Sequence, residues 1–435
     1  MTTNELAPGD TAEVSPGITK TVLPNGVRVV TETMPHALSV TLGFWVGVGS
    51  RDESEAMAGA SHFLEHLLFK GTEKRSALDI AMAVDAVGGE MNAFTAREHT
   101  AYYARLPSAE LQLGLDLLSE VISEPSLRPD EVDGEREVIL EEILMNEDTP
   151  EDVVHTELYE ALFPDHPLGR ETLGTEASIE AMERDQIAEF FDHWYQPANL
   201  VIAAAGALEH AAVVERARSW FGDRGTGTTP RREAPSAGPE GLRVVERATE
   251  QAHVTMAWRG LGATDPERYA LAVGLHVLGG GPASRLFQEV REKRGLAYSV
   301  YASSTSYSDT GSVVLYAGTV PSRLDELIEV TGSVLHDIVG NGISVDEHRV
   351  ALGYLEGSML LGLEDSGSRM MRLGMGETIR GHVIPIDLYL ERLRAVTIDD
   401  VAKVITRVLG DIPTVAAVGP FDRTHSALAG FDIAS

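Results

Sequence analysis

The sequence predicts an α+β chain of two homologous halves, each a mixed β-sheet with helices packed on one face. Three observations carry that prediction. Strand-like alternation and helical apolar periods follow one another along the whole chain. The stretch 222–241, GDRGTGTTPRREAPSAGPEG, is dense in Gly, Pro, Thr and Ser, has no apolar period and reads as a linker. Beyond it the pattern restarts: YYARLPSAELQLGLDLLSEVI (102–122) and LYAGTVPSRLDELIEVTGSVL (315–335) both run strand, Pro-Ser, amphipathic helix. Shared order and spacing is what a duplicated unit leaves behind. The expected organisation is a disordered tail over 1–17, an N-terminal domain over 18–221, the linker over 222–241 and a homologous C-terminal domain over 242–435.

Element by element, TKTVL and VRVVTET flank Pro24-Asn25-Gly26 and predict a hairpin, because Asn-Gly accepts the left-handed backbone of a tight turn. Ser39 to Val48 reads as a third strand, followed by helical periods at 57–70 and 76–87 and a strand-like run from Glu90 to Leu106. Helices are expected over 108–123, 129–147, 150–162 and 183–194, then a strand over Leu200 to Ala205 and a helix over 208–220. In the second half, the helix around SRLFQEVR (284–291) is the expected positional partner of the one carrying HFLEHLLF (62–69).

Composition narrows the function classes. The 435 residues include no cysteine, which excludes a disulfide scaffold, thiolate zinc sites, iron–sulfur clusters and a cysteine nucleophile. With 67 acidic and 35 basic residues the net charge is −32. Such a surface disfavours nucleic acid and anionic membranes; it suits basic peptides, or serves solubility alone. Residues 1–17 lack the basic and apolar regions of a signal peptide, and no run of 18 apolar residues exists, so the expectation is a cytoplasmic protein.

The sharpest chemical feature is His62-Phe-Leu-Glu65-His66. On a helix, positions i and i+4 share a face, so both imidazoles can grip one ion while Glu65 lies alongside to reach a bound water. This order, H-x-x-E-H, reverses the commoner H-E-x-x-H zinc signature. The plainer reading is two histidines hydrogen-bonded in a core helix. A catalytic tetrahedral zinc needs a third protein ligand. GEREVILEEILMNED (134–148) offers Glu135 and Glu142, two helical turns apart, above an expected packing stripe of Val138, Ile139, Ile143 and Leu144. Glu131, Glu137, Glu141 and Glu147 share that helix, and spacing alone does not choose among these carboxylates.

HFLEHLLFKGT (62–72), followed 76 residues after His66 by the Glu of VILEEI, resembles the pitrilysin–insulinase metallopeptidase family, especially the branch of the mitochondrial processing peptidase β-subunit and its bacterial relatives. The likeness runs from LPNGVRVV (23–30) to LGLEDSGSRMMRLG (361–374). It implies a processing-peptidase-like metallohydrolase fold and one Zn2+ per chain on His62, His66 and Glu142, with Glu65 as general base. Glu135 matches a family residue that supports the site without ligating, and Glu141 stands where the family usually has Arg.

GGEMNAFTAREHTAYY (88–103) resembles the family's edge strand, to which a peptide adds as a further strand. Asn92, Ala93 and Phe94 are the implied contacts, although Asn92 by itself reads equally well as a turn residue. Arg291-Glu-Lys-Arg-Gly-Leu-Ala-Tyr298 matches a family pair in which Arg291 holds a substrate carbonyl and Tyr298 stabilises the oxyanion. Without the likeness, these are a basic turn and a strand tyrosine. The second half carries LHVLGGGPASRLF (275–287) in place of H-x-x-E-H, and its Gly279-Gly280-Gly281 lacks a phosphate loop's Gly-Lys-Ser/Thr. The implied activity is a zinc metalloendopeptidase acting on unstructured or presequence-like peptides in a closed chamber, completed by a homodimer with sites composed in trans. The alternative is a non-catalytic or partner-dependent subunit of a hetero-oligomeric processing peptidase or structural complex.

Overall fold

The computed structural model describes residues 6–431. The chain first forms β1 (Thr11–Ser15), β2 (Ile18–Val22), β3 (Arg28–Thr33), β4 (Ser39–Val46), α1 (Ala60–Leu68), α2 (Ala77–Asp85), β5 (Glu90–Thr95) and β6 (Thr100–Pro107). Next come α3 (Leu111–Ser123), α4 (Pro129–Asp148), α5 (Pro150–Leu162), α6 (Glu176–Ala181), α7 (Arg184–Trp194), β7 (Leu200–Gly206) and α8 (His210–Phe221). Beyond 222–241 lie β8 (Leu242–Glu246), β9 (Ala252–Gly260), α9 (Arg268–Gly279), a π-helical segment (Phe287–Glu292), β10 (Ala297–Ser306) and β11 (Gly311–Thr319). The chain continues through α10 (Leu324–Asn341), α11 (Val345–Gly362), α12 (Ser366–Arg380), α13 (Ile386–Arg394), α14 (Ile398–Leu409) and β12 (Thr414–Gly419).

These elements sort into two compact units. Among the described residues, the first holds 6–143, Glu171–Arg232 and Leu360–Pro385; the second holds Leu144–Arg170, Glu233–Met359 and 386–431. The crossing at Arg232 falls inside the expected linker. In addition, each unit takes in a helix from the far side of that linker: α12 joins the first and α5 the second.

The first unit is a seven-stranded sheet ordered β1-β2-β3-β7-β4-β6-β5, antiparallel except for the parallel pair β3–β7. Its central strands are buried on both faces. Val40, Leu42, Phe44 and Val46 join Leu200, Ile202 and Ala204 in the core beneath α1, α3 and α8. The alternate residues Trp45, Val201, Ala203 and Ala205 pack against Met370 and Leu373 of α12. The sequence predicts helices on one face, and most lie there; α12 covers the other. LVIAAAG of β7 shows why, since a strand covered twice reads as a continuous apolar run. Gly374 lets α12 come close, because a Cβ there would sit 2.0 Å from Trp45 Nε1. Polar ties reinforce the contact: Glu32 pairs with Arg369 and Arg372, Lys20 with Glu377, and Ser366 with Thr41.

At the opposite edge, part of the expected disordered tail is ordered. β1 pairs antiparallel with β2, Thr11 opposite Thr21, across a turn whose Gly17 has φ 76°. TAEVS alternates as a strand should, and only its position near the terminus argues for disorder; residues 1–5 lie outside the described residues. The Asn-Gly hairpin forms between β2 and β3 with Gly26 at φ 100°.

The second unit repeats the plan with five strands, β10-β11-β9-β12-β8, again with one parallel pair, β12–β8. This order matches β5-β6-β4-β7-β3 strand for strand. Val254, Met256, Val313, Leu315 and Val415 form the core on one face, while Val154, Leu158 and Leu162 of α5 cover Val314, Tyr316 and Val418 on the other. The match corrects one pairing. α9 comes after β9 as α1 comes after β4, so α9 is the partner of the histidine helix; the segment near 284–291 is the partner of α2. Among the described residues no helix is long and apolar enough to cross a membrane.

Candidate metal centre and active site

Burial orients α1. Phe63, Leu64, Leu67 and Leu68 are buried in the core, which leaves His62, Glu65 and His66 half-buried on the remaining face. The two imidazoles meet edge to face with centroids 4.7 Å apart. α4 buries Val132, Glu135, Ile139 and Ile143, a stripe at i, i+3, i+7 and i+11. Val138 and Leu144, expected in that stripe, are 43% and 49% exposed. Each sits about 100° round the helix from its buried neighbour, which the sequence pattern blurs.

Glu142, next to Ile143 and partly exposed, reaches the histidines. Its Oε2 lies 3.5 Å from His62 Nε2 and 3.7 Å from His66 Nε2. One ligand atom from each of the three residues falls within 4.8 Å of the others, and among the described residues this is the group that could hold a metal ion. A tetrahedral zinc with bonds of about 2.0–2.1 Å sets its donor atoms about 3.3–3.4 Å apart. Two imidazole nitrogens and a carboxylate at these separations fit such an ion, with a fourth position left open.

Glu135 plays a different part. Its Oε2 receives His66 Nδ1–H at 2.9 Å, and its other oxygen pairs with Lys70. With the ammonium on one side, the carboxylate acts as acceptor of Nδ1–H, which turns Nε2 towards Glu142. Burial, aided by neighbouring His66, lowers the His62 pKa to about 4, so that imidazole is neutral and available for coordination at physiological pH. Burial pushes the Glu65 carboxyl up, opposed by a hydrogen bond from Thr95 Oγ1 to Glu65 Oε2 at 2.6 Å.

Motif spacing does not single out Thr95. Along β5, Met91 and Ala93 pack into the core under α1 and Phe94 packs on the opposite side. The same alternation puts Thr95 on the α1 face, a signal readable once residues 90–95 are recognised as one strand. β5 ends the sheet order, so one backbone edge has no strand beside it among the described residues. Asn92 is exposed there, a strand residue rather than a turn residue, and its Oδ1 accepts the Ala93 N–H at 2.8 Å. Phe94 stands edge-on to Trp45 and His99, with centroids 5.6 and 5.8 Å away.

Arg291 and Tyr298 belong to the second unit, where the structure brings them together. The guanidinium lies 4.4 Å from the Tyr298 ring centroid and 4.7 Å from that of Phe287. Tyr298 sits where the β10–β11 register shifts between Ala297 and Ser299. Such a bulge turns a side chain out of the sheet, and Tyr298 is 82% exposed. The π-helical segment that ends beside Arg291 is a second local irregularity, of a kind often found at functional sites.

Comparison with known proteins agrees with this geometry. The family model described as Insulinase (Peptidase family M16) matches residues 28–176, and that of the peptidase M16 inactive domain matches 181–353. An uncharacterized zinc protease of Streptomyces coelicolor is 45% identical over 425 residues, covering 95% of this chain and 93% of its own length. One from Bacillus subtilis is 36% identical, with 91% and 97% covered. Two solved structures share the fold at 21% identity: a protease from Helicobacter pylori, with TM-score 0.86, 93% of this chain and 100% of that one covered, and a peptidase M16 inactive domain from Pseudomonas fluorescens, with TM-score 0.85, 93% and 98% covered. With both halves matched in order and relatives aligned over nearly the full length, the chain belongs to the insulinase family of peptidases.

Proposed function

We propose that the protein is a zinc-dependent endopeptidase that hydrolyses unstructured peptides, with His62, His66 and Glu142 as ligands and Glu65 as general base. The observation that carries this reading is the convergence of His62 Nε2, His66 Nε2 and Glu142 Oε2 beside a carboxyl anchored by Thr95. A bound zinc ion supplies Lewis acidity, polarising a carbonyl and bringing the pKa of water towards neutrality. Glu65, whose proton affinity is raised by burial, takes a proton from the attacking water and returns it to the leaving amine.

An extended peptide adds to the free edge of β5 through main-chain hydrogen bonds, with Asn92, Ala93 and Phe94 along its path. That mode demands an unfolded backbone and little side-chain identity. Arg291 and the exposed Tyr298 offer donors to a substrate carbonyl and the developing oxyanion. Because one chain carries both sets, a homodimer with sites composed in trans within a closed chamber completes the proposal. The net charge of −32 favours basic peptides.

The test is digestion of an unstructured peptide mixture by metal-replete protein, read by mass spectrometry. Internal cleavage abolished by chelation is expected; no cleavage by protein with a full zinc complement contradicts the reading. A mixed dimer of Glu65→Gln and Tyr298→Phe chains tests the assembly. Sites composed in trans leave one intact site per mixed dimer, whereas sites within one chain leave none.

A further inference from the structure

Ahead of α1 stands a buried carboxylate that the proposed chemistry does not use. Glu53 is 5% exposed, and its two oxygens straddle the start of the helix. Oε2 accepts the Gly59 N–H at 2.8 Å and Oε1 accepts the Ser61 N–H at 2.7 Å. The N-cap of α1 is Gly59, at φ 91°, which has no side chain to cap with. A residue six positions upstream therefore satisfies two amide donors that the helix leaves open.

These donors adjoin the metal centre. Ser61 directly precedes His62, so the first turn of α1 presents the first imidazole. A helix N-terminus carries about half a positive charge, and that end opposes a divalent cation held on His62. The Glu53 carboxylate sits on the same amides and cancels it. The loop is anchored separately just ahead of this contact: Arg51 reaches Glu98 at 2.6 Å, and Asp52 meets Arg232 at 2.7 Å.

We infer that Glu53 is a positioning residue for the metal centre, fixing the first turn of α1 and neutralising the helix's positive end beside His62. This rests on the reading that His62, His66 and Glu142 bind zinc. Glu53→Gln keeps size and an acceptor but loses the charge; Glu53→Asp keeps the charge but is too short to span both amides. Zinc affinity, measured by competition with a chromogenic chelator, is expected to weaken about 5-fold in the Gln variant and at least about 2-fold in the Asp variant. With zinc saturating, kcat falls and KM for peptide holds. Glu120→Gln is the control: it disturbs another buried carboxylate, bonded to Thr72 and Arg75, with no bond to α1. Wild-type zinc affinity in both Glu53 variants overturns the inference, as does an equal loss in Glu120→Gln, which would mark general destabilisation. A wild-type protein that binds no zinc overturns the metal-site reading itself, a distinguishable outcome.

Discussion

At the scale of single residues, the proposed chemistry depends on side chains that act through one another. Thr95 donates to Glu65 at 2.6 Å, and that bond holds the carboxyl below where burial alone would place it. Thr95→Val therefore raises the Glu65 pKa and moves the acid limb of the activity profile to higher pH. It lowers kcat about 10- to 100-fold, the worth of one hydrogen bond to a charged group. An unmoved acid limb in kcat against pH would separate Thr95 from the base. His99 makes an independent prediction about stability. Buried between Trp45 and Phe94, its pKa is lowered to about 4, chiefly by desolvation. The unfolded chain takes up that proton first, so the stability is complete above pH 6.5 and is lost as pH falls from 6.5 to 4, about 3 kcal/mol in all. His99→Phe should flatten this part of the acid-unfolding curve; an unchanged slope would contradict the burial argument. His62, Glu65 and His66 are legible in the sequence because helical spacing alone aligns them. Glu142 is not separable there from its neighbours, since six glutamates crowd one helix and only the position of α1 picks one out.

Among the elements, the alternating pattern reveals most strands and helices, and the departures share a cause. β1 alternates, yet a five-residue strand gains its stability from β2, a pairing that local sequence does not report. The α4 stripe reads too wide, since apolar Val138 and Leu144 are exposed beside buried Ile139 and Ile143. The bulge at Tyr298 has no signature in GLAYS, although it decides where the hydroxyl points. α12 shows the same limit in its packing. Its approach to the sheet requires Gly374, where an added methyl would overlap the Trp45 ring at about 2 Å. Gly374→Ala is expected to lower unfolding free energy by about 1–3 kcal/mol in denaturant titration. A neutral result would contradict close packing of α12 on that face.

Across the whole molecule, duplication is readable in the sequence and exchange is not. Strand, Pro-Ser and helix recur in both halves at matching places, and the two sheets repeat one strand order. The transfer of α5 to the second unit and α12 to the first leaves no local mark, because an amphipathic helix does not record which sheet it will cover. Only the doubly buried strands β4, β7, β11 and β12 hint that a second layer is needed. One half keeps the histidine helix and the other carries Arg291 and Tyr298, so a repeated scaffold divides the proposed chemistry between its copies. The most direct test of that chemistry is Glu65→Gln, assayed for bound zinc and for peptide turnover in the same preparation. The proposed mechanism predicts wild-type zinc content with turnover reduced at least about 100-fold, the scale of a lost general base. Turnover near the wild-type rate in zinc-loaded Glu65→Gln protein would contradict it.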